Sequence, residues 1–362
     1  MMCFKVLKAN NGDCLLISVN VDGTNRNILI DGGTSATYVR ERRKGDLYNT
    51  LAEIKKNGEK IDLLILSHVD DDHIAGLLKG FKNSGLLTEL TNKVWFNSGS
   101  LIDESVGCDI ESSHLVEFDY QRTETDADNY TSIKQGITFE SFISDNNIWC
   151  KSLICEGAQY DFFGATIKVL SPTPNKLNKL LVKWEKEEKK SKSSASNTDY
   201  NLTFEELLKD DQFKKDSSVH NGSSIAFLFE YQNTKLLLLA DAHDDVIVSS
   251  IRNLKDDNGQ NYSEHNPLIV DYVKLSHHAS SYNTSPTFLS LIRCDNFIIS
   301  TDGSYHGLPN KLTLARVASK HPNAKFLFNY PNLIEQIFLP SELDSLKKNG
   351  YSFESCDEFF KL

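Results

Sequence analysis

The segment 67–73 concentrates side chains of the types that bind metal ions. Its sequence, Ser-His-Val-Asp-Asp-Asp-His, places two histidines and three aspartates between an apolar run at 63–66 and a helical pattern that includes Ile74. Adjacent carboxylates repel one another unless a cation lies between them. Imidazole and carboxylate groups together are ligands expected for zinc, manganese or iron. One aspartate alone would suit a helix N-terminus, but the whole set predicts a metal site.

Other histidine and aspartate residues follow predicted strands at the point where each strand ends. They are Asp31 after 28–30, Asp241 after 236–240, His277 and His278 after 272–275, and His306 a few residues beyond 297–300. Strands that point the same way bring such residues to one edge of a sheet, where α/β proteins hold their active sites. The sequence therefore predicts one site that collects these side chains.

The segments between these residues predict alternating strands and helices. Short apolar runs bounded by turn residues are typical of strands, whereas apolar residues at i, i+3, i+4 and i+7 are typical of helices. Strands are predicted at 4–8, 14–19, 27–30, 63–66, 224–231, 235–240, 271–275 and 297–300, and helices at 48–57, at 74–81 and after Asp244, Ser285 and Pro309. The Asn-Asn-Gly-Asp sequence at 10–13 indicates a turn between the first two strands.

Residues 100–216 interrupt this pattern and predict an insertion or cap. An apolar stripe through 177–184 indicates a helix, and the charged, serine-rich run at 185–197 has no apolar face. Thr203 and Glu206 have the spacing of a capping box, which predicts a second helix. We expect residues 186–199 to be mobile, because almost no apolar side chain there offsets the entropy of ordering. The insertion would then be a solvated arm or a lid.

Charge and composition limit the classes of partner. Lys+Arg number 39 and Asp+Glu number 50, a net charge of −11, which argues against a general duplex-DNA binder and favours small or single-stranded substrates. The lysine-rich run at 176–192 is the candidate basic patch. No apolar stretch is long enough to span a membrane, and no secretory signal is apparent. Seven scattered cysteines without a CxxC pair favour reduced thiols in a cytoplasmic protein.

The motifs, taken in order, resemble those of the metallo-β-lactamase-fold hydrolases. His-x-Asp-x-Asp-His at 68–73 is a variant of that family's HxHxDH signature. It is accompanied by LIDGG at 29–33, HNGSSI at 220–225, LLLLADAH at 236–243 and KLSHHASS at 274–281. The variant signature, the doubled histidine and the late His306 look most like the hydrolase domain of the DNA-uptake channel ComEC and its soluble relatives. The resemblance covers roughly residues 4–90 and 217–330.

This resemblance implies a fold and a ligand set. The fold would be an αββα sandwich, with residues 1–362 as a single domain and the insertion or cap at about 100–216. Two divalent ions would be bound. The resemblance implies that His68, Asp70 and His220 bind the first ion, that Asp72, His73 and either His277 or His278 bind the second, and that Asp241 bridges both.

The same resemblance implies roles for further residues. Asp70 stands where the family has a histidine, so the site is more anionic, and manganese becomes an alternative to zinc. Asp31 and His243 would orient ligands from behind. Asp72 would also help to orient the attacking water, and His306 would face the scissile phosphate as a hydrogen-bond donor or general acid.

The function expected on this basis is metal-dependent hydrolysis of a phosphodiester, by a nuclease or a nucleotide phosphodiesterase. Its substrate would be a nucleotide or a single-stranded nucleic acid, whereas a protein partner is not readable from the sequence. One alternative is hydrolysis of a small acyl, thioester or lactam substrate. A second is a catalytically weak binding module on the same fold.

Overall fold

This computed structural model describes residues 1–82, 85–106, 132–185, 198–356 and 360–361. The strands are β1 Met2–Val6, β2 Leu15–Val21, β3 Thr24–Ile30, β4 Val39–Arg40, β5 Arg43–Lys44, β6 Ile61–Ile65, β7 Val94–Trp95, β8 Gln159–Phe162, β9 Ala165–Ser171, β10 Ala226–Tyr231, β11 Thr234–Leu238, β12 Leu268–Ile269, β13 Tyr272–Lys274, β14 Ile292–Arg293, β15 Asn296–Ile299, β16 Lys325–Phe328, β17 Ser352–Ser355 and β18 Phe360–Lys361. The strands predicted from the sequence are all present, with ends shifted by a few residues.

The helices lie between these strands, as the sequence pattern predicts. They are α1 Ser35–Tyr38, α2 Asp46–Lys56, α3 Asp71–Phe81, α4 Leu86–Leu90, α5 Gly99–Val106, α6 Ser132–Asp145, α7 Pro174–Glu185, α8 Phe204–Lys209, α9 Val219–Gly222, α10 Asp244–Asn253, α11 Pro286–Ser290, α12 Lys311–Lys320, α13 Asn332–Ile337 and α14 Pro340–Lys348, with a 3₁₀ turn at Ser276–Ala279. No described helix is long and apolar enough to cross a membrane.

Two large sheets form the centre of the molecule. One has the strand order β18-β1-β2-β3-β6-β7, and the other has the order β17-β16-β15-β13-β11-β10-β9-β8. Strands β3, β6 and β7 are parallel, as are β11, β13, β15, β16 and β17. Their carboxyl ends carry the loops in which the sequence analysis placed its candidate residues.

Side-chain alternation along the strands separates the layers. In β3, Ile28 and Ile30 belong to an apolar core formed by both sheets, together with Phe227 and Leu238 of the other sheet. Leu29 points to the opposite face and packs with residues of α2 and α3. A third core covers the outer face of the eight-stranded sheet with α10, α11 and α12. This period-two division produces helix, sheet, sheet and helix layers, and the predicted αββα sandwich is confirmed.

The segment 100–216 contributes to the sheet as well as to the helices. Strands β8 and β9 extend the eight-stranded sheet through antiparallel pairing of β9 with β10. The predicted capping box of Thr203 and Glu206 is present at the start of α8. The structure does not describe 107–131 and 186–197, so the mobility predicted for 186–199 lies almost wholly outside the described residues. The description of 1–362 as one domain with a cap stays a prediction.

Candidate metal centre

The loop between β6 and α3 holds the histidine and aspartate cluster at the carboxyl edge of the six-stranded sheet. Strand β6 is mostly buried, so the chain leaves the core directly into Ser67 and His68. Asp70 is the N-cap position of α3, and Asp71 and Asp72 lie in its first turn. The unpaired N–H groups of a helix start favour carboxylates there. His73 follows on the buried face of the helix.

Four imidazole nitrogens converge on one carboxylate oxygen, Oδ2 of Asp241. The Nε2 atoms lie from it at 3.5 Å for His73, 3.8 Å for His68, 3.8 Å for His277 and 4.0 Å for His278. Asp241 itself is almost wholly buried. Burial acts to raise the pKa of Asp241, but the adjacent His73, His277 and His278 outweigh burial and hold that pKa well below its usual value. Asp241 is therefore an ionised carboxylate, and four histidines that could bind a metal ion lie close to it.

The opposite ring nitrogen of each histidine is held by a fixed partner. The Nδ1 atoms lie 2.8 Å from Asp31 Oδ2 for His73, 2.8 Å from the Ser300 carbonyl for His278, 3.0 Å from Ser67 Oγ for His68 and 3.0 Å from Asn283 Oδ1 for His277. Such partners set the ring orientation and the tautomer of metal-binding histidines. Asp31 therefore lies on the Nδ1 side of the His73 ring, and its role in orienting a ligand stays a prediction.

The buried polar atoms that face this centre fit a divalent cation. Nε2 of His68, His73 and His278 and Oδ1 of Asp241 are buried and have no hydrogen-bond partner among the described residues. Each unsatisfied buried group costs about 1–3 kcal/mol, and such a concentration is unusual unless a ligand satisfies it. Nitrogen and carboxylate donors are those that zinc and manganese accept, so the donor set suits these ions.

Three overlapping groups of donor atoms lie in the centre. Asp13, Asp31 and His73 form one of them, and the other two contain residues of the predicted ligand set. Of these two, His68, His73 and Asp241 form the first group, and Asp72, His73 and His278 form the second. In the second group, Nε2 of His278 lies 3.4 Å from Asp72 Oδ2. In the first, Nε2 of His68 lies 3.8 Å from Asp70 Oδ2. These two groups share His73, and Asp241 belongs to the first of them.

Residues 8–86, which include the His68–Asp72 loop, match the family model of the metallo-beta-lactamase superfamily. The layered sheets and helices described above are consistent with the metallo-beta-lactamase fold. The family-model match covers the first half of the site, from the strands of the six-stranded sheet through α3. No curated protein matches the chain.

Three solved structures show a remote likeness to this superfamily fold. The metallo-beta-lactamase fold protein YhfI from Bacillus subtilis is 12% identical, with a TM-score of 0.37 and 100% of each chain covered. Zinc-bound PqqB from Methylobacterium extorquens is 12% identical, with a TM-score of 0.38 and 100% of each chain covered. CmlA, a diiron beta-hydroxylase from Streptomyces venezuelae, is 10% identical, with a TM-score of 0.42, and the match covers 100% of this chain but 53% of CmlA. Likeness this remote carries no argument about substrate or metal.

His220 and Asp70 contact each other within this superfamily fold. His220 lies on the short helix α9, and its Nδ1 is 2.7 Å from Asp70 Oδ1. The same Asp70 oxygen accepts a hydrogen bond of 3.0 Å from Ser132 Oγ at the start of α6. Nε2 of His220 is buried without a hydrogen-bond partner among the described residues. His220 therefore contacts the centre through Asp70.

His243 lies behind α9 and away from the convergence point. Its Nε2 is 2.8 Å from the Ser218 carbonyl and its Nδ1 is 2.6 Å from Lys176 Nζ. Burial lowers the pKa of His243, and the Lys176 charge lowers it further. A Cβ on Gly222 would lie 2.9 Å from His243 Cε1, so the small residue permits this close contact. The orienting role predicted for His243 would therefore act on α9, the helix that carries His220.

His306 lies at the exposed rim of the centre. Its ring packs edge-on against Tyr305, with centroids 4.3 Å apart. Burial lowers the pKa of His306, the charge on His277 lowers it further, and Asp72 opposes that effect. His306 is therefore within electrostatic reach of the centre, although it belongs to neither group of converging donor atoms.

The backbone is strained at residues whose conformation directs these side chains toward the centre. Asp31, Ala240, His277 and His278 have φ of 57°, 45°, 48° and 52° respectively. Residues other than glycine rarely adopt this left-handed conformation, which costs about 1–3 kcal/mol each and is found chiefly at functional sites. The two successive left-handed residues at 277–278 let both imidazoles approach Asp241.

Several residues of the centre were not identified from the sequence. Asp13 lies within the predicted turn at 10–13, yet its Oδ1 is 3.5 Å from His278 Nδ1. Asp216 Oδ2 is 3.6 Å from His277 Nδ1 and accepts a hydrogen bond from Asn221. Gln135 donates a 2.6 Å hydrogen bond to Asp71 Oδ1. In the sequence, these positions show only a polar residue in a turn or in a segment whose structure the pattern does not predict. Such residues are too common to indicate a functional site.

Proposed function

We propose that the protein is a metal-dependent phosphodiesterase with two divalent ions, zinc or alternatively manganese. The observation that carries the proposal is the convergence of four Nε2 atoms on Asp241 Oδ2, with His306 on the rim outside that cluster. When bound, a pair of such ions activates water and offsets charge that develops on a phosphoryl oxygen.

In the proposed ligand set, His278 rather than His277 binds the second ion with Asp72 and His73. Its Nε2 is buried and lies 3.4 Å from Asp72 Oδ2. The His277 side chain is 25% exposed. It would face substrate, with its Nδ1 between Asn283 and Asp216. Asp241 would bridge this ion and the first, held by His68, Asp70 and His220.

Side chains of the protein would position the attacking water and protonate the substrate. Asp72, in the first turn of α3, would orient the attacking water as well as bind. His306 would donate a proton or hydrogen bond to an oxygen of the phosphodiester, because it lies on the open side of the ligand cluster. An acyl, thioester or lactam substrate places its leaving group and charge differently and is the alternative. A catalytically weak binding module is the second alternative, but no ligand of the proposed set is lacking from the described residues.

Finer assignments belong to this proposal as well. The resemblance to the ComEC-type hydrolase domain supports a nuclease or nucleotide phosphodiesterase. The net charge of −11 supports a nucleotide or single-stranded nucleic acid rather than a duplex. A cytoplasmic location stays a prediction.

A substrate comparison tests the function. Purified protein loaded with zinc or manganese would be assayed against a chromogenic phosphodiester, the matching phosphomonoester, a thioester and a chromogenic lactam. We expect the phosphodiester to be hydrolysed fastest with at least one of the two metals. Faster turnover of the thioester or lactam would refute the phosphodiesterase assignment in favour of the acyl alternative.

Metal content tests the dinuclear centre separately. We expect protein prepared without chelator and supplied with metal to hold two ions per chain, because His68, His73 and Asp241 form one group of donor atoms and Asp72, His73 and His278 form another. Elemental analysis measured against protein concentration would give the ratio. A ratio below one half after reconstitution would contradict the centre itself, whatever the activity.

The hydrogen bond from Ser132 to Asp70 yields a further prediction. Ser132→Ala removes one of the two described hydrogen bonds to Asp70 Oδ1 and leaves that from His220. Loss of such an outer partner typically weakens metal binding by about 10–100-fold, so we expect the first ion to bind about 10-fold more weakly. Competition with a chromophoric chelator measures this. Ser319→Ala, which removes a hydroxyl bonded within α12, is the matched control, and equal affinities for the two variants would contradict the role of Ser132.

A further inference from the structure

We infer that Asp13 and Lys274 form a positioning pair for His278 and thereby set the affinity of the second ion. The inference rests on the proposed function, because it assumes that His278 binds an ion. It adds Asp13 and Lys274, neither of which was predicted as a ligand or as an orienting residue. Asp13 lies in the loop before β2, and Lys274 is the last residue of β13 in the other sheet.

The pair is buried and lies directly behind the imidazole. Lys274 Nζ donates to Asp13 Oδ2, and each residue is 1% exposed. The other carboxylate oxygen, Oδ1, lies 3.5 Å from His278 Nδ1 and has no hydrogen-bond partner among the described residues. His278 Nδ1 lies 2.8 Å from the Ser300 carbonyl. One side of the ring thus hydrogen-bonds the Ser300 carbonyl and faces the Asp13 carboxylate, while Nε2 faces Asp72 and Asp241.

The loop that carries Asp13 is fixed to both halves of the centre. The Asp13 N–H donates to the Asp72 carbonyl at 3.2 Å, and Ser300 Oγ donates to the Gly12 carbonyl at 3.2 Å. A Cβ on Gly12 would lie 1.8 Å from the Asp72 oxygen, so only glycine permits this approach. Asp13 therefore cannot move independently of Asp72 or of the strand end that holds His278.

Charge explains why the two residues occur together. A lysine ammonium this close to a cation site would repel the ion unless an anion lay beside it. Asp13 neutralises Lys274, and Lys274 holds the Asp13 carboxylate in place so that Oδ1 faces the His278 ring. Buried ion pairs contribute little net stability compared with apolar residues of the same size. Stability alone therefore does not account for a pair placed here.

A pair of variants separates the positioning role from a structural one. Asp13→Asn alone leaves Lys274 buried without its counter-charge, so we expect a lower melting temperature and weaker binding of the second ion. Asp13→Asn combined with Lys274→Met removes both charges, so we expect the melting temperature to recover. The affinity for the second ion should stay about 10–100-fold weaker in the double variant, as for other lost outer partners of metal ligands.

Zinc titration against a chromophoric chelator, together with thermal unfolding of the metal-free full chain, supplies both readouts. The matched control is the ion pair of Lys311, which is 1% exposed, and Glu342, whose side chain is 13% exposed. Lys311 Nζ and Glu342 Oε2 lie 2.7 Å apart, and neither residue belongs to a donor group of the centre among the described residues. Lys311→Met with Glu342→Gln should leave both zinc affinities unchanged. If Asp13→Asn fails to fold, the double variant decides the matter.

The outcomes distinguish this inference from the proposed function. A double variant that recovers both melting temperature and second-ion affinity would show that the pair is purely structural and would overturn the inference, while phosphodiesterase activity of the wild type would stand. Weaker second-ion binding in a protein without phosphodiesterase activity would support the inference and refute the function. A wild-type protein that binds one ion only would overturn the inference and the dinuclear centre together.

Discussion

Replacing Asp241 with Ala is expected to abolish metal binding and hydrolysis together. Oδ2 of this carboxylate lies within 4.0 Å of four imidazole nitrogens. Without its charge, the imidazoles of both predicted ion sites lose the carboxylate on which their Nε2 atoms converge. Elemental analysis should find almost no metal, and phosphodiester hydrolysis should fall to background.

A nearby aspartate offers the control for this variant. Asp245 lies in the first turn of α10, with its side chain 43% exposed and close only to lysines among its described ion-pair partners. Asp245→Ala should retain both ions and full activity. An Asp241→Ala protein that kept two ions would contradict the bridging role and would place the metals elsewhere.

Replacing His306 with Ala is expected to reduce activity and leave the metal in place. His306 lies on the rim and is not a member of the donor groups that the described residues form. Removing a general acid typically costs about 10²–10⁴-fold in rate, so kcat for a phosphodiester should fall within that range while metal content stays at the wild-type value. A thioester or lactam, whose leaving group differs, should be much less affected.

A control variant and two contrary results test the prediction for His306. His265 is exposed and distant from the centre in sequence, so His265→Ala should change neither quantity. Loss of metal from His306→Ala would mean that His306 is a ligand and that the assignment of the second ion is wrong. Unchanged phosphodiesterase activity would remove the main support for inferring a phosphodiester substrate from the ComEC-type resemblance.

Some features of this protein follow from the sequence by itself. The apolar run at 28–30 indicates a buried strand, and the apolar spacing after Asp72 indicates α3. The cluster at 67–73 and the strand-end positions of Asp241 and His278 locate the centre. Each of these features is local, because a strand, a helix and the loop between them are encoded within about ten to twenty neighbouring residues.

Other features were decided only by the tertiary structure. Asp13 and Lys274 are separated by 261 positions, and Ser132 and Asp70 by 62. No periodicity carries information about such pairs, because they depend on how the two sheets pack and on where α6 docks. The separate directions of the His277 and His278 rings likewise depend on their left-handed backbone, which turns one ring toward Asp72 and the other toward Asn283. Which of the two binds an ion stays a prediction. The local sequence pattern thus locates the candidate ligands. Packing of distant segments decides which residue lies behind each candidate ligand, because a fixed contact between such segments exists only once both are buried together.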